Sequence, residues 1–315
     1  MENYRVRIRP LSAFGTPLYG DTLFGQLCWA VRNRLGEAEL DNLLQGYTKG
    51  EPYAVISNAF PTGYVPCPDL PTRFFDEVPD TQRKAMKKKT WFPLEKADMP
   101  LAGWQRQSTD GHGAGLSEKQ VLQPHNSIDR RTGTTNSAGF APYGMNQIWY
   151  EDSVRLDLYL LLDESRLSAD SARELLQDMG SLGFGRDASI GLGKFQVEHF
   201  EPVSLPRQPG ANAYLSLAPC APQGLNYDER RSYYQLFTRF GRHGDQAACQ
   251  TGQPFKNPLL LARAGAVFST DGSPGWIGQG LGGDGRLSRT IAATVHQGYA
   301  PVIAIHLPEQ EEQAA

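Results

Sequence analysis

The sequence predicts an α+β fold built from two ferredoxin-like domains with antiparallel sheets. Three observations carry that reading. Segments of strand period and helix period succeed one another as β-α-β-β-α-β over residues 1–203. A long stretch without regular period, residues 60–150, interrupts that order between the second and third strands. Further strand-like runs recur over residues 204–308, behind the Pro-rich seam LPRQPG, as a second, degenerate domain of similar type. The same six-element plan serves RNA-recognition domains.

Each element has a local cause. In YRVRIR (4–9), Tyr4, Val6 and Ile8 alternate with Arg5, Arg7 and Arg9, which predicts a half-buried strand with a positive outer face. DTLFGQLCWAVRNRLG reads as a helix with Asp21 or Thr22 as N-cap and Gly36 past its end. EAELDNLLQG predicts a short second helix and YAVIS (53–57) a strand. Order returns at VRLDLYLLL (154–162), with Val154, Leu156, Leu158, Leu160 and Leu162 on one face. Ser168 caps a helix that turns Ala172, Leu175, Leu176 and Met179 inward, and KFQVEHFEPV is the closing strand. Beyond residue 204, AYLSL, PLLLARAGAVF and APVIAIHL read as strands, GWIGQGLGGDG (275–285) is a second glycine cluster, and 309–315 is an acidic tail.

Composition bounds the function. With 315 residues, 40% hydrophobic and 21% charged, the chain is globular in type, and no apolar run reaches bilayer length. MENYRVRIRPL lacks a signal-peptide pattern, and Cys28, Cys67, Cys220 and Cys249 are dispersed without a C-x-x-C pair, so reduced thiols in a cytoplasmic protein are expected. A formal net charge of −3 argues against nucleic-acid binding by bulk electrostatics. Positive charge is local instead, in RKAMKKK (83–89) and DRRTG (129–133), where a solvated face is the competing explanation.

The stretch MGSLGFGRDASIGLGKF (179–195) sets five glycines around Arg186 and Asp187. A dinucleotide fingerprint needs strand, glycines, then helix; here the order is helix, glycines, strand. No G-x-x-x-x-G-K-[ST] is present either, so no nucleotide cofactor is expected. The bare main chain either lets helix and strand pack closely or clamps an extended polyanion such as a single RNA strand.

Three segments together, GDTLFGQLCWAVRN (20–33), HNSIDRRTGTT (125–135) and GFGRDASIGLGKF (183–195), resemble the CRISPR-associated RAMP superfamily. More narrowly they resemble its guide-capping group, the fourth subunit of the type III-A Csm effector complex. PFKNPLLLARAGAVF and YAPVIAIHLP also fit that group, so the resemblance covers most of the chain. It implies a thumb-like insertion in the first domain and an RNA-binding role without catalysis. Its implied partners are the 5′ tag of a CRISPR RNA, the guide–target duplex, the large palm-domain subunit and the backbone RAMP subunits.

Site residues follow from the resemblance. It assigns Gly183, Phe184, Gly185, Arg186, Ser189, Gly191, Gly193 and Lys194 to the RNA-binding glycine loop, with Asp187 ordering the loop by bonding backbone amides. It assigns His125, Asn126, Ile128, Arg130, Arg131, Thr132, Gly133 and Thr134 to the thumb; a self-ordering polar hairpin tip is the alternative there. Tyr19, Gly20, Asp21, Lys87, Lys88 and Lys89 are further candidates to face RNA. Relatives that cut target RNA use an aspartate between the first strand and first helix, but an N-cap role accounts for Asp21. Tyr19 stands where many relatives carry a histidine. His112 and His125 have no partner base at readable spacing for the rival endoribonuclease reading, and His199, His243, His296 and His306 are isolated. No catalytic or metal-binding set is expected.

Overall fold

Tyr4, Val6 and Ile8 are buried along strand β1 (Glu2–Pro10), as their alternation predicts. The computed structural model describes residues 1–135, 141–244, 247 and 254–309. The outward arginines of β1 do not form an open positive face. Arg5 pairs with Glu201, Arg7 is bidentate to Asp157 at 2.8 and 3.1 Å, and Arg9 lies 3.6 Å from Glu198. Those carboxylates arrive on neighbouring strands, so a single strand's pattern could not disclose them.

After β1 come α1 (Gly20–Leu35), α2 (Glu37–Leu43), β2 (Ala54–Ile56) and β3 (Phe60–Pro61). A lobe follows with β4 (Tyr64–Pro66), α3 (Arg83–Met86), β5 (Trp91–Pro93) and α4 (Trp104–Gln107). The hairpin β6 (Glu118–His125) and β7 (Tyr143–Tyr150) comes next, then β8 (Leu156–Leu162), α5 (Ala169–Leu182) and β9 (Phe195–Pro202). The main sheet runs β2-β8-β1-β9, every pair antiparallel, with β3 also on β8. Val6 faces Leu158 on one side and Phe200 on the other. Leu23, Phe24 and Leu27 of α1 and Leu175, Leu176 and Met179 of α5 join Val6 and Ile8 in one core. Ser168 caps α5, its hydroxyl accepting from the Ser171 amide at 3.2 Å.

Strand β8 is buried on both faces, not on one. Its even-numbered leucines meet the helices, while Tyr159 enters a second core with Phe60, Leu215 and Ile303. The uninterrupted apolar run LYLLL reflects that double burial.

Residues 60–150 are two structures rather than one excursion. The lobe packs Val65, Phe92 and Trp104 into the second core, with Trp104 stacked on Phe92 at 3.9 Å. The β6–β7 hairpin stands apart from that core, its strands mostly exposed.

The C-terminal half holds β10 (Ala213–Ser216), β11 (Leu236–Arg239), β12 (Leu259–Ala262), β13 (Val267–Ser269), β14 (Trp276–Gly282) and β15 (Val295–Ile305). Its sheet runs β13-β10-β15-β14, and β11 pairs with β12. Among the described residues of 204–308 there is no α-helix. PLLLARAGAVF is split between β12 and β13, and the second glycine cluster is mostly strand β14. Gly278 has φ +85°, and a Cβ there would overlap the Gly298 carbonyl, so glycine permits this close pairing. The halves are not separately cored. Tyr299 of β15 lies in the first core and its hydroxyl donates to Tyr47 O at 2.6 Å. The Gln297 carboxamide accepts from Ile56 N at 2.9 Å and donates to Ile56 O at 2.7 Å. The acidic tail beyond Glu309 and Cys249 lie outside the described residues.

Candidate nucleic-acid interface

The glycine loop is built by close approach. A Cβ on Gly183 would overlap Leu192 O, and one on Gly193 would overlap Phe184 O. Both have φ in the left-handed range, +101° and +73°. Gly185, φ +76°, would bring a Cβ within 2.6 Å of Thr16, whereas a Cβ on Gly191 meets nothing within 4 Å. Close packing thus accounts for Gly183, Gly185 and Gly193, and backbone conformation alone for Gly191.

The segment between β1 and α1 holds this loop in place. Gly193 N donates to Ala13 O at 2.7 Å, Lys194 N to Ser12 Oγ at 2.9 Å, Leu11 N to Lys194 O at 2.8 Å, and Arg186 N to Thr16 Oγ1 at 2.9 Å. Phe184 N donates to Gly193 O at 2.9 Å. Most loop amides are therefore committed within the chain. Among the described residues, the amides of Gly185, Asp187, Ala188 and Ser189 donate to no partner, so the donors left for an anion are fewer than the glycine count suggests. Phe184 is a second correction: it is 1% exposed in the first core, because the apolar face of α5 continues two residues past the helix. Asp187 orders the loop differently from expectation. It is left-handed at φ +65°, its carbonyl accepts from Ile190 and Leu192 at 3.1 and 3.2 Å, and its carboxylate lies 3.4 Å from Arg186 Nε.

Arg186 reaches further, donating from Nη2 to Asn146 O at 2.6 Å on β7. Phe14 and Ile148 exchange two backbone bonds of 2.8 and 2.9 Å beside it. Glycine loop, β1–α1 segment and hairpin base are thus one joined unit. Asn146 is three residues along β7 from Tyr143, roughly 10 Å of strand, and Tyr143 stacks on His125 at 5.3 Å and 12°. Beyond them, Asp129 is buried and organises the tip: its Oδ1 accepts from Arg131 N at 2.9 Å and its carbonyl from Gly133 N at 2.8 Å. Thr132 and Thr134 bond each other at 2.9 Å, and Gly133 takes φ +66°. The tip is self-ordered, and this leaves Asn126, Ile128, Arg130 and Arg131 exposed around it. Lys194 and Ser189 are exposed on the loop.

Asp21 and Gly20 do not face outward. Tyr19, not Asp21 or Thr22, stands at the N-cap of α1, with no side-chain cap. Gly20 is buried, its amide bonded to Asn58 Oδ1 at 2.8 Å, and a Cβ there would overlap Ile56 O. The Asp21 carboxylate is fully buried, bidentate to Arg239 at 2.7 and 3.0 Å, with His296 Nε2 at 3.3 Å. Burial pushes its carboxyl up, but His296 and Arg239 outweigh burial and hold it below the usual carboxylate range. A helix-start aspartate normally caps; here Arg239 and His296, both on the C-terminal half, draw it inward. Arg239 also covers the rings of Phe237 and the half-exposed Tyr19, at 4.9 and 5.1 Å.

Lys87, Lys88 and Lys89 belong to a different place. Lys89 Nζ donates to Arg106 O at 3.1 Å within the lobe, and Lys87 and Lys89 line a cleft shared with Tyr233 and Tyr234. His112 is exposed in a lobe turn, while His243 bonds Ser288 at 2.7 Å and His306 bonds Gly210 O at 2.9 Å. Thr16, Ser12 and Asn146, which position the loop, carried no sequence signal, since each works through one bond to a chain segment distant in sequence. Among the described residues no group of three His, Cys, Asp or Glu is placed to hold a metal, and no helix is long and apolar enough to cross a membrane.

No protein-family model and no curated protein matches this chain. Among solved structures it is similar to a chain of the Csm1–Csm4 cassette in complex with pppApA, at 15% identity and TM-score 0.62, covering 98% of this chain and 100% of that one. The cassette in complex with cA4 gives 15% identity and TM-score 0.63 over the same shares. A chain of the Csm3–Csm4 subcomplex of the type III-A CRISPR-Cas interference complex gives 13% identity and TM-score 0.52, covering 85% and 92%. The fold, a mixture of helices and antiparallel sheets, is shared with those chains along almost the whole length.

Proposed function

We propose that this chain is a non-catalytic RNA-binding subunit of a type III-A CRISPR effector complex. In this reading it anchors the 5′ tag of the guide RNA and bridges the large palm-domain subunit to the backbone subunits. Its halves are two ferredoxin-like domains, the second without helices, and the β6–β7 hairpin is the thumb that approaches the guide–target duplex. The fold held in common with chains of the Csm1–Csm4 and Csm3–Csm4 assemblies supports the reading. The observation that carries it is the bond from Arg186 to Asn146, which sets the glycine loop and its four uncommitted amides at the foot of a hairpin tipped by Arg130 and Arg131. Phosphates laid along that line meet amide donors and three guanidinium groups. The rival reading, an endoribonuclease working through Asp21, is disfavoured because that carboxylate has no access to a substrate.

Photocrosslinking of the reconstituted complex with a 5′-tagged guide tests the proposal. Arg186→Glu combined with Arg130→Glu and Arg131→Glu is expected to lower crosslinking of the tag to this subunit about tenfold, with target cleavage products unchanged in His125→Ala. Each guanidinium withdrawn from a phosphate also makes binding less sensitive to salt. Undiminished crosslinking, with only assembly altered, would make the chain a structural bridge.

A further inference from the structure

The lysines that the glycine-loop interface leaves unused point to a second site. Between the lobe and the C-terminal half lies a cleft of about 1090 Å³, ample for a small-molecule ligand. Lys87, Lys89 and Asp69 line it from the lobe, Tyr234 and Gln235 from the other side. Tyr234 is 44% exposed and stacks on Phe268 at 5.2 Å and 20°, so one face of its ring is held by protein while the residue borders the cleft. Asp69 is fixed in turn: its amide donates to Gly265 O at 2.7 Å and its Oδ1 accepts from Gln235 Nε2 at 3.1 Å. Asp69 Oδ2 and Gln235 Oε1 accept no hydrogen bond among the described residues, although the charge of Arg263 also acts on the Asp69 carboxylate. Lys87 is exposed and makes no ion pair among the described residues, and Lys89 spends one of its three N–H groups on Arg106 O.

An aromatic face, a polar acceptor edge and ammonium groups around one cavity are the three features that a base, its hydrogen-bonding edge and a phosphate require. A purely apolar ligand would leave Asp69 and the lysines unanswered. We propose that this cleft is a nucleotide-binding site, with the base against Tyr234, its edge bonded to Asp69 and Gln235, and its phosphate held by Lys87 and Lys89. The ligand is a ribonucleoside monophosphate unit, free or within an RNA strand. The inference does not depend on where a guide tag lies, because the cleft shares no lining residue with the glycine loop or the hairpin.

Calorimetric titration of the full-length chain with AMP, GMP, CMP and UMP, and with the hexamers of adenylate and uridylate, tests it. At least one monophosphate is expected to bind, and Tyr234→Ala and Lys87→Glu each to weaken it about fivefold or more. Tyr234→Phe is expected to retain binding, and Arg186→Glu to leave it unchanged. Displacement of the monophosphate by a hexamer would assign the site to an RNA strand, and its absence to a free nucleotide. No binding by any of these probes, or binding indifferent to both variants, would overturn the proposal. Lys87 is solvent-facing, so an unshifted melting temperature in Lys87→Glu shows that its result is not misfolding. Normal nucleotide binding with undiminished guide crosslinking in the Arg186→Glu, Arg130→Glu, Arg131→Glu variant would retain the cleft and reject RNA binding by the glycine loop and hairpin.

Discussion

The Asp21 carboxylate is fully buried, and Arg239 and His296 reach it from across the chain. Removing one member of such a set strands the others, so Asp21→Asn is expected to cost about 3–5 kcal/mol in denaturant unfolding at neutral pH. The sign of its pH dependence follows from the direction of the shift. A carboxyl held below its ordinary value contributes stability that is complete above about pH 4 and is lost as pH falls through the folded value. The stability gap between wild type and Asp21→Asn should therefore close progressively below about pH 4. A gap that widened below about pH 4 would contradict the assignment of Arg239 and His296 as its stabilising partners.

At the level of elements, the four glycines of the loop separate by cause. Gly193→Ala forces both a left-handed φ and an overlap with the Phe184 carbonyl, whereas Gly191→Ala meets open space and carries only the conformational cost. We expect Gly191→Ala to lower stability by about 1 kcal/mol and Gly193→Ala by clearly more, read from melting temperatures. Equal losses would mean that the loop relaxes away from Phe184. The same contrast shows what was legible beforehand. The alternation of β1 and the cap at Ser168 follow from local periodicity and capping chemistry, and the structure has both. The partners of Arg7, Asp21 and Phe184 were not legible, because each lies more than a hundred residues away or in a core whose far side is supplied by another element. The lobe and hairpin within 60–150 also escaped, since short strands and single helical turns leave no period to detect.

For the molecule as a whole, the decisive fact is that neither half completes its own core. Tyr299 and Gln297 enter the first half from β15, and Tyr159 and Phe60 enter the second core from the main sheet. A fragment ending at residue 203 is expected to lack a cooperative thermal transition and to expose dye-binding apolar surface, while coexpression of 204–315 restores both. A sharp transition in the fragment alone would establish an independent N-terminal domain. The seam LPRQPG marks the change from the first sheet to the second. The carboxamide of Gln297 has one more effect. By occupying both the N–H and the carbonyl that Ile56 turns away from β8, it denies an incoming chain the two main-chain groups it would need for registration. That margin of the sheet, where Ala54, Val55 and Ile56 are all buried, is thereby stoppered from within the chain by one side chain.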